Sequence, residues 1–192
     1  MPLCSFAHFA LCSTLLFAQL CSGCHFAHFD RRLGRWRFGI RACSASAYSA
    51  KKQPAKIILL APWLDIALRQ PQIPEIEQVN PLIDSIGLRK AGEVYRGELE
   101  EKDPRVSPLY GEMKSLGHLS IFISTHDQLW ADCHDLHHSL LQQGIRHHYF
   151  EYPQMFHDWM MVVSLPKSKL ALCQIVDLIL HETDDADIKL KT

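Results

Sequence analysis

Neither sign of charge dominates this sequence: 20 lysines and arginines stand against 21 aspartates and glutamates in 192 residues. That balance removes the electrostatic argument for nucleic acid or an anionic membrane as partner, and leaves a small uncharged ligand as good an expectation as any. No Lys or Arg occurs before Arg31, so the apolar run Phe6 to Leu20 lacks the basic start of a signal peptide. His and Gln interrupt that run, which is also too short to predict a membrane span. Seven cysteines, five of them before Ala50, do not make a disulfide framework. Cys133 and Cys173 fall in helical patterns and read as small packing residues of a cytoplasmic protein.

The chain divides by composition near Ala50. Residues 1–50 repeat Phe-Ala-His-Phe at Phe6 and Phe26, and from Asp30 to Arg41 they show neither helical nor strand periodicity. Cys21-Ser-Gly-Cys24-His25 matches the short pattern for c-type haem attachment, but export is not supported by the charges, so no cofactor is expected. The segment reads as irregular. Residues 51–183 read as one α/β domain, and 184–192 as a solvated tail.

In the domain, Ala55 to Ala61 and Leu119 to Ser124 are short apolar runs that predict strands of a parallel sheet, and Arg146 to Tyr152 supplies the strand that follows the next helix. A proline-rich excursion from Ile66 to Pro108 contains a predicted helix at Gly87 to Arg96. Asp132 to Gln143 predicts a helix with Leu136, Leu140 and Leu141 on one face and Gly144 as its stop. Lys167 to His181 predicts an apolar closing helix. Alternation of strands and helices puts functional loops at the carboxyl ends of the strands, which is where Asp127 and His157 fall. A nucleophilic hydrolase needs a hydroxyl, an imidazole to take its proton and a carboxylate to fix the imidazole tautomer. Asp127 then His157 is the order in which α/β hydrolases carry the last two.

Several blocks in order carry a resemblance over Pro54 to about Leu180. They are Pro62-Trp-Leu-Asp65, Asn80-Pro-Leu82, Asp103-Pro-Arg-Val-Ser-Pro-Leu109, Thr125-His-Asp127-Gln-Leu129 with Asp132 after it, and Tyr152-Pro-Gln-Met-Phe-His157-Asp-Trp159. Together they resemble the carboxyl-terminal half of the hormone-sensitive-lipase-like α/β hydrolases, which are carboxylesterases and lipases. The resemblance implies an incomplete α/β-hydrolase fold, a small carboxylic ester as substrate, Asp127 as acid and His157 as base. It suggests that Trp63 and Asp65 support the sheet edge. Met155, Phe156 and Trp159 flank the base and are candidates for an acyl pocket.

Two departures stand out. Ser124 takes a position where the family usually has Gly, a change expected to matter little. No Gly-X-Ser-X-Gly occurs anywhere, and Ser44, Ser46 and Ser49 lack the flanking glycines of a nucleophile elbow, so the nucleophile is unknown. Entering the codons of Trp36 to Ile40 one base late permits Gly-Asp-Ser-Ala, though not the Gly that should follow. Residues before about Ala50 are therefore read as out-of-frame or mis-spliced sequence joined to a hydrolase tail. On this reading the chain has little esterase activity of its own, and a sheet beginning at Ala55 exposes an edge that invites self-association. Two alternatives remain: a non-catalytic interaction protein built on the fold remnant, and a metal-binding module using His134, His137 and His138, which share adjacent helical turns. An exposed polar helix face explains those three histidines equally well, and no metal is expected.

Overall fold

A computed structural model describes residues 55–80, 82–114 and 116–180, together with the backbone of two short strands, β1 (Phe29–Asp30) and β2 (Arg35–Trp36). The candidate haem-attachment pattern, Ser44, Ser46, Ser49 and the tail lie outside the described residues. β1 and β2 pair antiparallel, Phe29 opposite Trp36, where the sequence had shown no strand periodicity. Pairs of two residues are too short to carry an alternation that a pattern search could find.

The sheet consists of β3 (Lys56–Leu60), β4 (His118–Ser124) and β5 (His147–Tyr152) in that order, all parallel. The register sets Leu59 opposite Ile121, and Ile121 opposite Tyr149. β4 is central, and from Leu119 to Ser124 it is buried on both faces, as its continuous apolar run requires. Ile57, Leu59, Leu119, Ile121 and Ile123 share one core with Leu136 and Leu140 of helix α3 (Trp130–Gln142). Each such side chain, fully buried, contributes roughly 1.5–3 kcal/mol. Leu141 is not on that face, being 56% exposed, because one residue past Leu140 turns it 100° around the helix. α3 ends as the sequence predicts: Gly144 has φ 66°, and the amides of Gly144 and Ile145 return to the carbonyls of Leu141 and Leu140.

The excursion after β3 joins the sheet through the same core, with Leu64, Leu68, Ile73, Leu88 and Met113 buried in it, and is held together by its own polar bonds. It contains α1 (Ile73–Glu77) and α2 (Ser85–Arg96), the latter capped by Asp84, whose carboxylate accepts from the amides of Ile86 and Gly87. Asp65, buried just past β3, accepts from Ala67 N at 2.9 Å, Arg69 Nη1 at 2.8 Å and Tyr110 Oη at 3.0 Å. Ser107 Oγ accepts from Ile66 N at 3.2 Å, and Leu109 N donates to Leu64 O. The Pro62–Asp65 and Ser107–Leu109 blocks are thus bonded to each other.

α2 approaches this segment at Gly92, where an added Cβ would lie 2.7 Å from Ile66 O. Backbone cannot yield as a flexible side chain can. Gly92→Ala should therefore destabilise the chain by about 1–3 kcal/mol, despite the better helix propensity of Ala. A urea midpoint equal to or above that of wild type would contradict this.

The described residues form two compact units, divided between Asp158 and Trp159. The second holds a 3-10 turn (Trp159–Met161) and α4 (Pro166–Leu180), with Ser168 Oγ donating to Trp159 O at 2.6 Å. Its buried positions include Ala171, Ile175 and Leu178, whereas Cys173 is exposed and not a packing residue as expected. Cys133, by contrast, is fully buried, with Sγ 3.7 Å from Pro62 O. No helix among the described residues is long and apolar enough to cross a membrane.

Candidate active site

Asp127 sits in the turn that leaves β4 for α3, and nearly every polar atom of that turn is tied down. Its amide donates to Ser124 O, its carbonyl accepts from Trp130 N, and its Oδ1 accepts from Leu129 N at 3.0 Å. The next residue, Gln128, is fully buried and bonds across to the excursion: its Oε1 accepts from Asn80 Nδ2 at 2.8 Å, and its Nε2 donates to Ile83 O at 2.7 Å. Asn80 therefore braces the turn that holds Asp127. With Oδ1 engaged, Oδ2 is left to meet His157 Nδ1 at 2.7 Å.

His157 arrives on the loop after β5, and that loop is bonded to the end of β4. Thr125 N donates to Tyr152 O, Gln154 N to Thr125 Oγ1 at 3.0 Å, and Met155 N to Ser124 Oγ at 2.9 Å. The Ser124 hydroxyl in turn donates to Met155 O. Ser124 thus ties the loop of His157 to the strand before Asp127, a role glycine could not fill. The change expected to matter little carries part of the site.

Both members of the pair are buried, Asp127 fully and His157 to 7% exposure. Burial pulls the imidazole pKa down, but the charge and hydrogen bond of Asp127, followed by the nearby charge of Asp158, outweigh it and hold His157 at about 10. Nε2 lies 3.2 Å from Asp158 Oδ2, at ion-pair distance but without the alignment of a hydrogen bond. Asp158 was not singled out in the sequence, and its adjacency to His157 was the available signal. Of the acyl-pocket candidates, Met155 and Phe156 are half-buried, while Trp159 is fully buried and falls in the second unit.

The histidines of α3 pair with neighbours. His134 Nε2 lies 3.2 Å from His138 Nε2, and His137 Nδ1 lies 2.7 Å from His147 Nε2. His148 turns instead to Ser120 Oγ and His118, as alternation along a strand demands. Burial and the neighbouring histidines together lower the pKa of His137. Among the described residues, no group of three or more His, Cys, Asp or Glu is arranged to hold a metal ion.

Asp132, five residues past Asp127 in the first turn of α3, is buried and accepts from Gln70 Nε2 at 2.9 Å, while its Oδ2 makes no hydrogen bond among the described residues. Burial raises its pKa from 3.8 to about 7, with the charges of Asp65 and Asp135 adding to the rise and the Gln70 bond opposing it. Between those two values the folded chain keeps a proton that the unfolded chain has lost. Stability must therefore fall as pH rises through that window. Asp132→Asn should remove this dependence and exceed wild type by about 1–3 kcal/mol near pH 8, with the two converging below the unfolded value. Thermal melts at both ends of the window measure it, and equal melting temperatures near pH 8 would refute it.

Residues 40–161 match the alpha/beta hydrolase fold family, a span that starts ten residues before the compositional boundary. Among curated proteins, the chain is 28% identical over 106 residues to an acetyl-hydrolase of Streptomyces hygroscopicus, a match covering 55% of this chain and 36% of that protein. It is 27% identical over 109 residues to a triacylglycerol lipase of Mycobacterium tuberculosis, covering 57% and 20%. Among solved structures, an esterase of the bacterial hormone-sensitive lipase family superposes with a TM-score of 0.69 at 22% identity, covering 73% of this chain and 48% of that one. An esterase/lipase from an uncultured bacterium gives 0.68 at 20%, covering 73% and 47%. The chain thus spans about a third of the acetyl-hydrolase and about half of each solved structure.

Proposed function

The chain belongs to the alpha/beta hydrolase fold family, and on that premise we propose that it carries the acid and base of a serine-type carboxylic ester hydrolase. What supports this is the contact between Asp127 Oδ2 and His157 Nδ1, 2.7 Å long and buried, made from two loops that each follow a parallel strand. Asp127 fixes the tautomer and stabilises the imidazolium. Nε2 of His157 takes the proton of a serine hydroxyl as that oxygen attacks the ester carbonyl, then returns it to the departing alcohol. Water repeats the cycle on the acyl-enzyme. The names of the relatives, acetyl-hydrolase and triacylglycerol lipase, support a carboxylic ester as substrate.

The nucleophile and the oxyanion donors belong to the part of the fold for which this sequence has no matching motif. The chain alone is therefore expected to hydrolyse a short-chain nitrophenyl ester no faster than buffer containing free imidazole. Joined in frame to an amino-terminal half bearing Gly-Asp-Ser-Ala-Gly-Gly, residues 51–192 should yield an active esterase labelled by a fluorophosphonate at the new serine. Enzyme-like turnover by the chain as it stands, with labelling at Ser44, Ser46 or Ser49, would show that the nucleophile is already present.

A further inference from the structure

His157 has two ring nitrogens, and the described residues bring a carboxylate to each. Asp127 Oδ2 meets Nδ1 at 2.7 Å, and Asp158 Oδ2 lies 3.2 Å from Nε2. The first comes from the turn after β4, while the second is the next residue in the chain. Asp158 can reach back because its φ is 55°, a left-handed conformation that Asp tolerates better than most residues. It is 5% exposed, and among the described residues neither of its oxygens accepts an aligned hydrogen bond. A desolvated carboxylate without donors is costly unless a positive charge stands against it, and the imidazole ring stands there.

We propose that Asp158 is a latch on the base, a positioning residue whose carboxylate claims Nε2 of His157 and keeps the ring doubly held as an imidazolium until the carboxylate turns away. The proposal rests on the reading of His157 as the proton-transfer residue and adds regulation to that site. Nε2 is the nitrogen that must accept a hydroxyl proton, and it cannot do so while it carries a proton facing Asp158. When Asp158 withdraws, the ring loses one of its two attractive charges and the Nε2 proton passes to solvent. The neutral ring then keeps its Nδ1 proton on Asp127, the tautomer a general base needs.

The two contacts are unequal in the direction a latch requires. The bond to Asp127 is short and aligned, on a carboxylate whose other oxygen is fixed by Leu129 N. The contact to Asp158 is longer and unaligned, and so is the one that can be exchanged. From α3, Cys133 lies within reach of the Asp127 charge, but burial pushes its thiol well up, so it adds no charge of its own. Two carboxylates facing one buried ring also account for its elevated pKa.

The test is the titration of the His157 ring in the full chain, read from ring-nitrogen shifts of histidine-labelled protein, with His157→Gln to assign the signal. Asp158→Asn keeps the shape and tolerates the left-handed φ, whereas Asp158→Gly adopts that φ without strain, and each removes the charge. Both are expected to lower the midpoint by about one to two pH units, and Asp127→Asn should lower it independently. If both Asp158 variants titrate with wild type while Asp127→Asn shifts, the acid and base stand and the latch is overturned. If Asp127→Asn leaves the midpoint in place, the reading of the pair as acid and base fails, whatever Asp158 does. Loss of the folded spectrum in both Asp158 variants would make the residue structural and overturn the latch as well.

Discussion

In the completed enzyme, His157→Ala is expected to reduce kcat on a nitrophenyl ester by about 10,000-fold or more, and Asp127→Asn by about 1,000- to 10,000-fold. The two losses have different origins. Removing the ring leaves a serine hydroxyl with no base at its unperturbed pKa, so any residual rate comes from binding and oxyanion donors. Asn at position 127 keeps the shape of the turn and can keep the bond from Leu129 N, but it no longer selects the tautomer with its proton on Nδ1. It also withdraws the charge that stabilises the imidazolium. The losses should therefore not add: the double variant should be no worse than His157→Ala, because an acid that works through the base has nothing to orient once the ring is gone. Measuring kcat and KM for the two singles and the double settles the assignment. Full activity in His157→Ala would remove this residue as base, and a double variant far worse than either single would give Asp127 a role independent of the ring.

The strands and the loops that leave them were legible because strand, helix and strand alternate along the chain. β3 and β4 announce themselves as apolar runs, β5 is placed by the helix and glycine stop before it, and Asp127 and His157 lie on the loops after β4 and β5. The blocks that carried the family resemblance prove to be bonding partners: Ser107 with Asp65, the Leu109 amide with Leu64 O, and Asn80 with Gln128. Such pairs are separated by forty or more residues, so no local pattern could join them. Order along the chain gave the list of blocks, and contact gave the reason for it. Other features were illegible for physical reasons. Asp158 reads as a surface carboxylate until its φ and its burial beside His157 are known, and both are consequences of tertiary structure. Ser124 reads as a tolerated replacement until its hydroxyl is seen to bond the loop after β5. Leu141 and Cys173 were assigned to buried faces by hydrophobicity, yet their angular positions on α3 and α4 leave them in water.

Asp65→Ala should be the most destabilising of the substitutions in the excursion, costing about 3 kcal/mol. The carboxylate is almost wholly buried and accepts from a backbone amide, a guanidinium and a phenol, so truncation deprives three donors at once. They do not suffer equally. Arg69 is 38% exposed and keeps its ion pair with Glu101, so its charge can turn to water and adds little to the cost. The Ala67 amide is fixed by the fold and bears most of the cost, together with the loosening of Ser107 against the Ile66 amide, while the hydroxyl of Tyr110, a residue 39% exposed, can turn partly to water and adds less. Asp65→Asn should cost less, about 1–2 kcal/mol, because the amide oxygen can serve one donor while its NH2 group faces another. A double-mutant cycle separates these contributions: Tyr110→Phe alone removes one bond, and in an Asp65→Ala background it should cost close to nothing. Urea midpoints of the four proteins decide the matter. An Asp65→Ala loss below about 1 kcal/mol, or additive effects of the two substitutions, would mean that Asp65 does not hold the Ser107–Tyr110 segment to the end of β3.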